Sequence, residues 1–144
     1  MKTFLPKITE IQKNRKWFLI DAAGARPGKL ATKIAQILLG KNKTFFAPHL
    51  DCGDGVIVVN AAKIEFSGDK NLQKKYYSHS GFIGNLKEIS AEKLRQKKPV
   101  KIIEFAVRGM LPKNRARAAR LKRLRVFAKE NHDLIAQKPE KIEI

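Results

Sequence analysis

The sequence predicts an α/β fold: a three-layer core with a small, mainly parallel sheet flanked by helices, plus basic extensions. Three observations predict it. Short β-branched or aromatic apolar runs stand at residues 17–20 and 56–59. Amphipathic segments with helix punctuation lie between and after them, which is the pattern of strands alternating with helices. Hydrophobic residues make up 43% of the 144, enough to fill one core.

The elements follow in chain order. Residues 1–16 read as an extended arm. Residues 17–20 are a buried strand that ends at Asp21, and AAGARPG turns the chain. In residues 28–39, Leu30, Ile34, Ile37 and Leu38 share one helical face, with Pro27 near the start and Gly40 just past the end. Residues 56–59 form a continuous β-branched run between Gly55 and Asn60, as in a strand buried on both faces. A further short strand is expected before Gly68. Ser90 is a candidate N-cap for a helix with Glu92 in its first turn. Pro99 opens another helix, in which Ile103, Ala106, Val107 and Met110 share a face, and Pro112 ends it. Asn114 is the candidate N-cap of a basic helix over 114–125. Residues 124–127 are a candidate last strand, and the tail to 144 reads as irregular. The expectation is one domain over 1–144: an N-terminal arm at 1–16, an α/β core at 17–112, and a basic helix with C-terminal extension at 113–144.

Charge narrows the partner. Lys plus Arg total 31 against 13 Asp plus Glu, a net charge of +18. Such an excess opposes compaction and favours polyanions. It is concentrated at Arg108, Lys113, Arg115, Arg117, Arg120, Lys122, Arg123, Arg125 and Lys129, with no acid between the first and the last. On a helix with Arg115 at zero, 100° steps put Lys122 at ~340°, Arg123 at ~80°, Arg120 at ~140°, Arg117 at ~200° and Arg125 at ~280°. Like charges at these spacings repel unless a polyanion neutralises them. Charge on nearly all sides, with only Leu121 and Leu124 apolar, suits enclosure by folded RNA better than one groove of a DNA duplex.

Other chemistry is weaker. RPGKLA has neither the dinucleotide nor the phosphate-loop spacing, so a nucleotide-using α/β enzyme lacks its motif. His49, Asp51, Cys52 and Asp54 cluster, but one cysteine and three histidines cannot complete a structural zinc site locally. The cluster reads as a Gly/Asp turn entering the strand at Val56. No catalytic, metal or cofactor residue is assigned. A lone cysteine forms no intrachain disulfide, in keeping with a reducing cytoplasm. No apolar run is long enough to span a membrane. KNLQKKYYSHSGFIGNLK, residues 70–87, interleaves lysines with Tyr76, Tyr77, His79 and Phe82, a mixture suited either to RNA bases or to an ordinary loop.

Several segments together resemble the bacterial large-subunit ribosomal protein thirteen family. They are RKWFLIDAAG at 15–24, GKLATKIAQILLGKNK at 28–43, HLDCGDGVIVVNAAKI at 49–64, KKYYSHSGFIG at 74–84, AVRGMLPKN at 106–114, RLKRLRVFA at 120–128 and AQKPE at 136–140. The resemblance implies a structural component of the large ribosomal subunit that binds its 23S RNA, supports early assembly and translation, and needs no cofactor. The implied partners are ribosomal RNA, neighbouring large-subunit proteins and, outside the ribosome, messenger RNA. No membrane is implied, and no homo-oligomer is required. The candidate RNA-binding residues are Arg108, Gly109, Lys113, Asn114, Arg115, Arg117, Arg120, Lys122, Arg123 and Arg125. A second region comprises Lys41, Lys43, Lys74, Lys75, Tyr77 and His79.

Overall fold

A computed structural model describes residues 6–142. Four strands form a parallel sheet: β1 (Trp17–Asp21), β2 (Gly55–Val59), β5 (Leu124–Val126) and β6 (Glu140–Ile142), in the order β5-β2-β1-β6. An antiparallel hairpin, β3 (Lys75–His79) with β4 (Leu86–Ser90), stands apart from it. The helices are α1 (Ile8–Lys13), α2 (Pro27–Leu39), α3 (Lys70–Gln73), α4 (Ala91–Lys97), α5 (Pro99–Met110) and α6 (Ala116–Lys122). The expected α/β class, with a mainly parallel sheet flanked by helices, is therefore observed.

The register explains where the core lies. Phe18, Val56 and Leu124 are paired across the sheet, as are Ile142, Ile20, Val58 and Val126. Paired residues of parallel strands point to the same side. These side chains join Leu30, Ile34 and Leu38 of α2 and Ile103 and Val107 of α5 in one hydrophobic cluster. The alternate row, Lys141, Leu19, Ile57 and Arg125, faces the other way. There the chain between β5 and β6 lies over the sheet. Leu19 and Val59 form one wall, and His132 and Ile135 the other, of a cavity of about 660 Å³. β2 is buried on both faces, as its continuous apolar run predicts.

Several local expectations hold for local reasons. Pro27 opens α2, and Gly40 ends it in the left-handed conformation at φ 80°. Pro99 opens α5. The Ser90 hydroxyl accepts the Lys93 N–H at 3.5 Å, capping α4. Others are corrected. The arm at 1–16 contains α1, whose Ile11 is buried; its first five residues lie outside the described ones. The strand expected before Gly68 is instead a 3-10 turn at Ala61–Lys63, because the N–H groups of Asn60, Ala61 and Ala62 bond the carbonyls of Lys129, Phe127 and Ala128. The candidate strand at 124–127 is observed as β5, but it is not the last: the tail expected to be irregular supplies β6, and both belong to the main sheet. β6 carries too few apolar residues for sequence to betray it: exposed Glu140 and Lys141 precede a single partly buried Ile142. Residues 143 and 144 lie outside the described ones.

One close approach binds the loop before β2 to the end of α2. A Cβ built on Gly53 would lie within 1.8 Å of the Leu38 carbonyl oxygen, a backbone atom with little freedom to move. Gly53→Ala is accordingly expected to destabilise the fold by about 2–3 kcal/mol, seen as a lower urea midpoint. An unchanged midpoint would show that the loop can open without cost.

Candidate nucleic-acid interface

Asp51 and its arginines fix the basic region in place. Arg123 meets the Asp51 carboxylate with two nitrogens, at 2.6 and 2.7 Å. The Arg120 Nε donates to the same carboxylate at 3.4 Å, and Arg15 at 3.3 Å. Three chain segments thus converge: the stretch before β1, the loop before β2, and α6 with Arg123, the residue that follows it. Arg120 is only 2% exposed. Burial alone would push the Asp51 carboxyl up. The bonds and charge of Arg123, with Arg15 and Arg120 behind it, outweigh burial and hold it below the ordinary carboxylate range.

This corrects the reading of α6 as charged all round and free to be enclosed. The helix is short, and Arg120 and Arg123, three residues apart, face inward because a carboxylate meets them there. Their charge is committed inside the fold. Asn114 does not cap the helix with its side chain, since α6 begins at Ala116 after Arg115. Lys43 is likewise internal: its ammonium lies 2.6 Å from the buried Asp54, whose Oδ1 also accepts the Lys16 N–H at 3.0 Å. The Gly/Asp turn read from residues 51–54 is therefore the fold's main anionic anchor.

The remaining cations face outward. Arg108 and Gly109 are exposed in the last turn of α5. Lys113, Asn114 and Arg115 are exposed in the connection to α6, Lys122 on α6 and Arg125 on β5; Arg117 is half-buried. A Cβ on Gly109 would meet nothing within 4 Å, so backbone is open to a partner at that point. Lys41 is exposed just beyond α2.

The hairpin carries the rest. Tyr77 lies opposite Glu88 and His79 opposite Leu86, so these four share one face. Tyr77 and Leu86 are largely exposed, and the tip presents Phe82 and a nearly bare Ile83, 96% exposed. Lys75 pairs with Glu88 at 3.2 Å across the strands, while the Lys74 ammonium sits 5.4 Å from the Tyr76 ring centre. The His79 Nδ1 accepts the Gly81 N–H at 2.9 Å, and the residue is exposed. On the opposite face Tyr76 stacks on Phe105 of α5, tying hairpin to helix.

Sequence reasoning missed Lys101 and Phe105. They stand at i and i+4, with Arg108 at i+7, so one face of α5 is cationic and aromatic; that spacing was the available signal. At the sheet's switch point between β1 and β6, a crevice of about 480 Å³ includes Asp21, Gly24, Arg26 and Lys29. The Ala23 N–H and the Asn60 amide hold the Asp21 carboxyl below its usual range, so it is an anion at the mouth of the place where such folds bind phosphates. Among the described residues no helix is long and apolar enough to cross a membrane.

A family model described as ribosomal protein L13 matches residues 15–133. The chain is 51% identical over 139 residues to large ribosomal subunit protein uL13 of Lawsonia intracellularis, covering 96% of this chain and 95% of that one. It is 51% identical over 140 residues to the protein of that name in Clostridioides difficile, covering 97% and 96%. It is 47% identical to that of Methylococcus capsulatus over the full length of both.

Proposed function

The chain belongs to the ribosomal protein L13 family, and we propose that its outward cations neutralise phosphates of 23S ribosomal RNA from the first stages of subunit assembly. It is a structural constituent of the large ribosomal subunit and not an enzyme. The observation that carries the RNA reading is the division of the basic region. Arg120, Arg123 and Lys43 are satisfied by carboxylates within the fold, whereas Arg108, Lys113, Arg115, Lys122 and Arg125 are exposed. Unpaired like charges on a folded surface are costly unless a polyanion covers them.

Two contact regions follow. The first is the end of α5, the 111–115 connection and α6. Gly109 admits close backbone approach, and Asn114 adds a neutral hydrogen-bonding side chain. The second is the hairpin, where Lys74 meets phosphate, Lys75 does so by exchanging its exposed Glu88 partner for one, and Tyr77 and His79 meet exposed bases. Lys41, on the α2 side, adds a further cation. The same groups would serve messenger RNA, and no feature of the surface favours that partner over ribosomal RNA.

The test is comigration and salt. The protein is expected to run with large subunits on a sucrose gradient at moderate salt. Its affinity for the purified large-subunit RNA should fall by roughly 0.7–0.9 log units per log unit of salt for each phosphate neutralised. A flat salt titration, or protein confined to the top of the gradient, would overturn the reading.

A further inference from the structure

We propose that the groove between α5 and α6 receives one unpaired RNA base, a stacking site distinct from the phosphate contacts above. The proposal rests on the RNA-binding reading and deepens it by naming what the surface recognises. The groove encloses about 370 Å³. Its floor is apolar, made by Phe105, Ala118, Leu121 and Leu124. Its rim is cationic: Lys101, Arg108 and Lys122. Among the described residues that line it, the one carboxylate, Glu104, is paired with Lys101 at 2.6 Å, and Arg108 and Lys122 have no carboxylate partner.

Phe105 is the centre of the argument. Its ring is 42% exposed on the side of α5 that faces α6 and the groove. The Tyr76 ring lies 5.8 Å away at 29°, which covers part of Phe105 and fixes its plane. The rest of the ring lines the groove. A base entering there would extend the Tyr76–Phe105 stack by one member. Ala118, with its small side chain, leaves the space.

Charge decides the occupant. An apolar protein side chain would fill the floor but would bring no anion to Arg108 and Lys122 unless acidic residues flanked it. A nucleotide carries both parts at a fixed spacing, a flat apolar face and a phosphate on either side. The groove is therefore matched to an extruded base of single-stranded or looped RNA.

The test uses the full chain and an in vitro transcript of large-subunit RNA, with affinity measured by filter binding across a salt series. Phe105→Ala is expected to weaken binding about 5- to 100-fold at every salt concentration and to leave the salt slope unchanged. Phe105→Trp should retain affinity. Ala118→Leu fills the groove while removing no packed atom, and should weaken binding similarly; it decides the matter if Phe105→Ala fails to fold by circular dichroism. Wild-type affinity in both Phe105→Ala and Ala118→Leu overturns the proposal. So does a shallower slope in Phe105→Ala, which would make the ring a support for phosphate contacts. Full RNA affinity with lost incorporation into subunits would assign the groove to a neighbouring protein and overturn it too. If the unaltered protein itself fails to bind the transcript, it is the underlying RNA reading that falls.

Discussion

Asp51→Ala is expected to cost about 3 kcal/mol of folding stability, measured as a fall in the urea midpoint at neutral pH. The carboxylate is the common acceptor for Arg15, Arg120 and Arg123. Removing it leaves three guanidinium groups facing one another, and Arg120 has almost no access to water. Breaking a buried pair by deleting one partner typically costs 3–5 kcal/mol. Asp51 keeps 27% side-chain exposure, which lets solvent screen part of the loss and favours the lower figure. Asp51→Asn should be nearly as damaging, because it preserves shape and loses charge. Replacing the most buried part of the group, with Asp51→Leu, Arg120→Met and Arg123→Met, should recover much of the stability, since apolar packing can stand in for those charges while Arg15, 29% exposed, keeps access to water. Failure of the triple variant to exceed Asp51→Ala would show that the cluster acts through something other than mutual neutralisation.

The same group sets an acid limit. The folded-state pKa of Asp51 is depressed, so its contribution is present above the unfolded carboxylate value of about 4. It is lost as pH falls through the lower, folded-state value. Asp21 is depressed in the same direction, through the Ala23 N–H and the Asn60 amide, and reinforces the trend. Stability should therefore decline below about pH 4 less steeply in Asp51→Ala than in the unaltered chain.

This cluster also shows where a sequence stops being legible. Periodicity and punctuation revealed α2, α5 and β2, because each buries one face or both and is bounded at one end or both by Pro or Gly. The basic region stood out from composition alone as a candidate binding surface. Its internal division did not. Asp51 and Arg123 are 72 residues apart, and only the parallel pairing of β2 with β5 brings them together. A count of charges cannot separate an arginine that meets a carboxylate from one that waits for a phosphate. Scarcity offered a hint: with 13 acids among 31 bases, an acid in a tight Gly-rich turn before a buried strand is a strong candidate counter-ion. β6 was illegible for a different reason, being an edge strand held by its backbone pairing with β1 more than by apolar side chains.

The division of the basic region makes a second large effect predictable. Combined Ala substitution of Arg108, Lys113, Arg115 and Lys122 is expected to lower affinity for large-subunit RNA about 1000-fold at 0.1 M salt. The reasoning is additive. Each phosphate contact contributes roughly 0.7–0.9 to the salt slope, so losing four should make the slope shallower by about 3. Stability should barely change, because among the described residues none of the four makes an ion pair or a side-chain hydrogen bond, and removing like charges relieves repulsion. Arg120→Ala with Arg123→Ala should behave in the opposite way. Stability should fall by kilocalories, while the salt slope of the protein that remains folded stays near the unaltered value. Circular dichroism melts and salt-series filter binding on both variants separate the two roles. If the outward quadruple kept its slope, or the inward pair lost it, the assignment of which cations face RNA would be reversed.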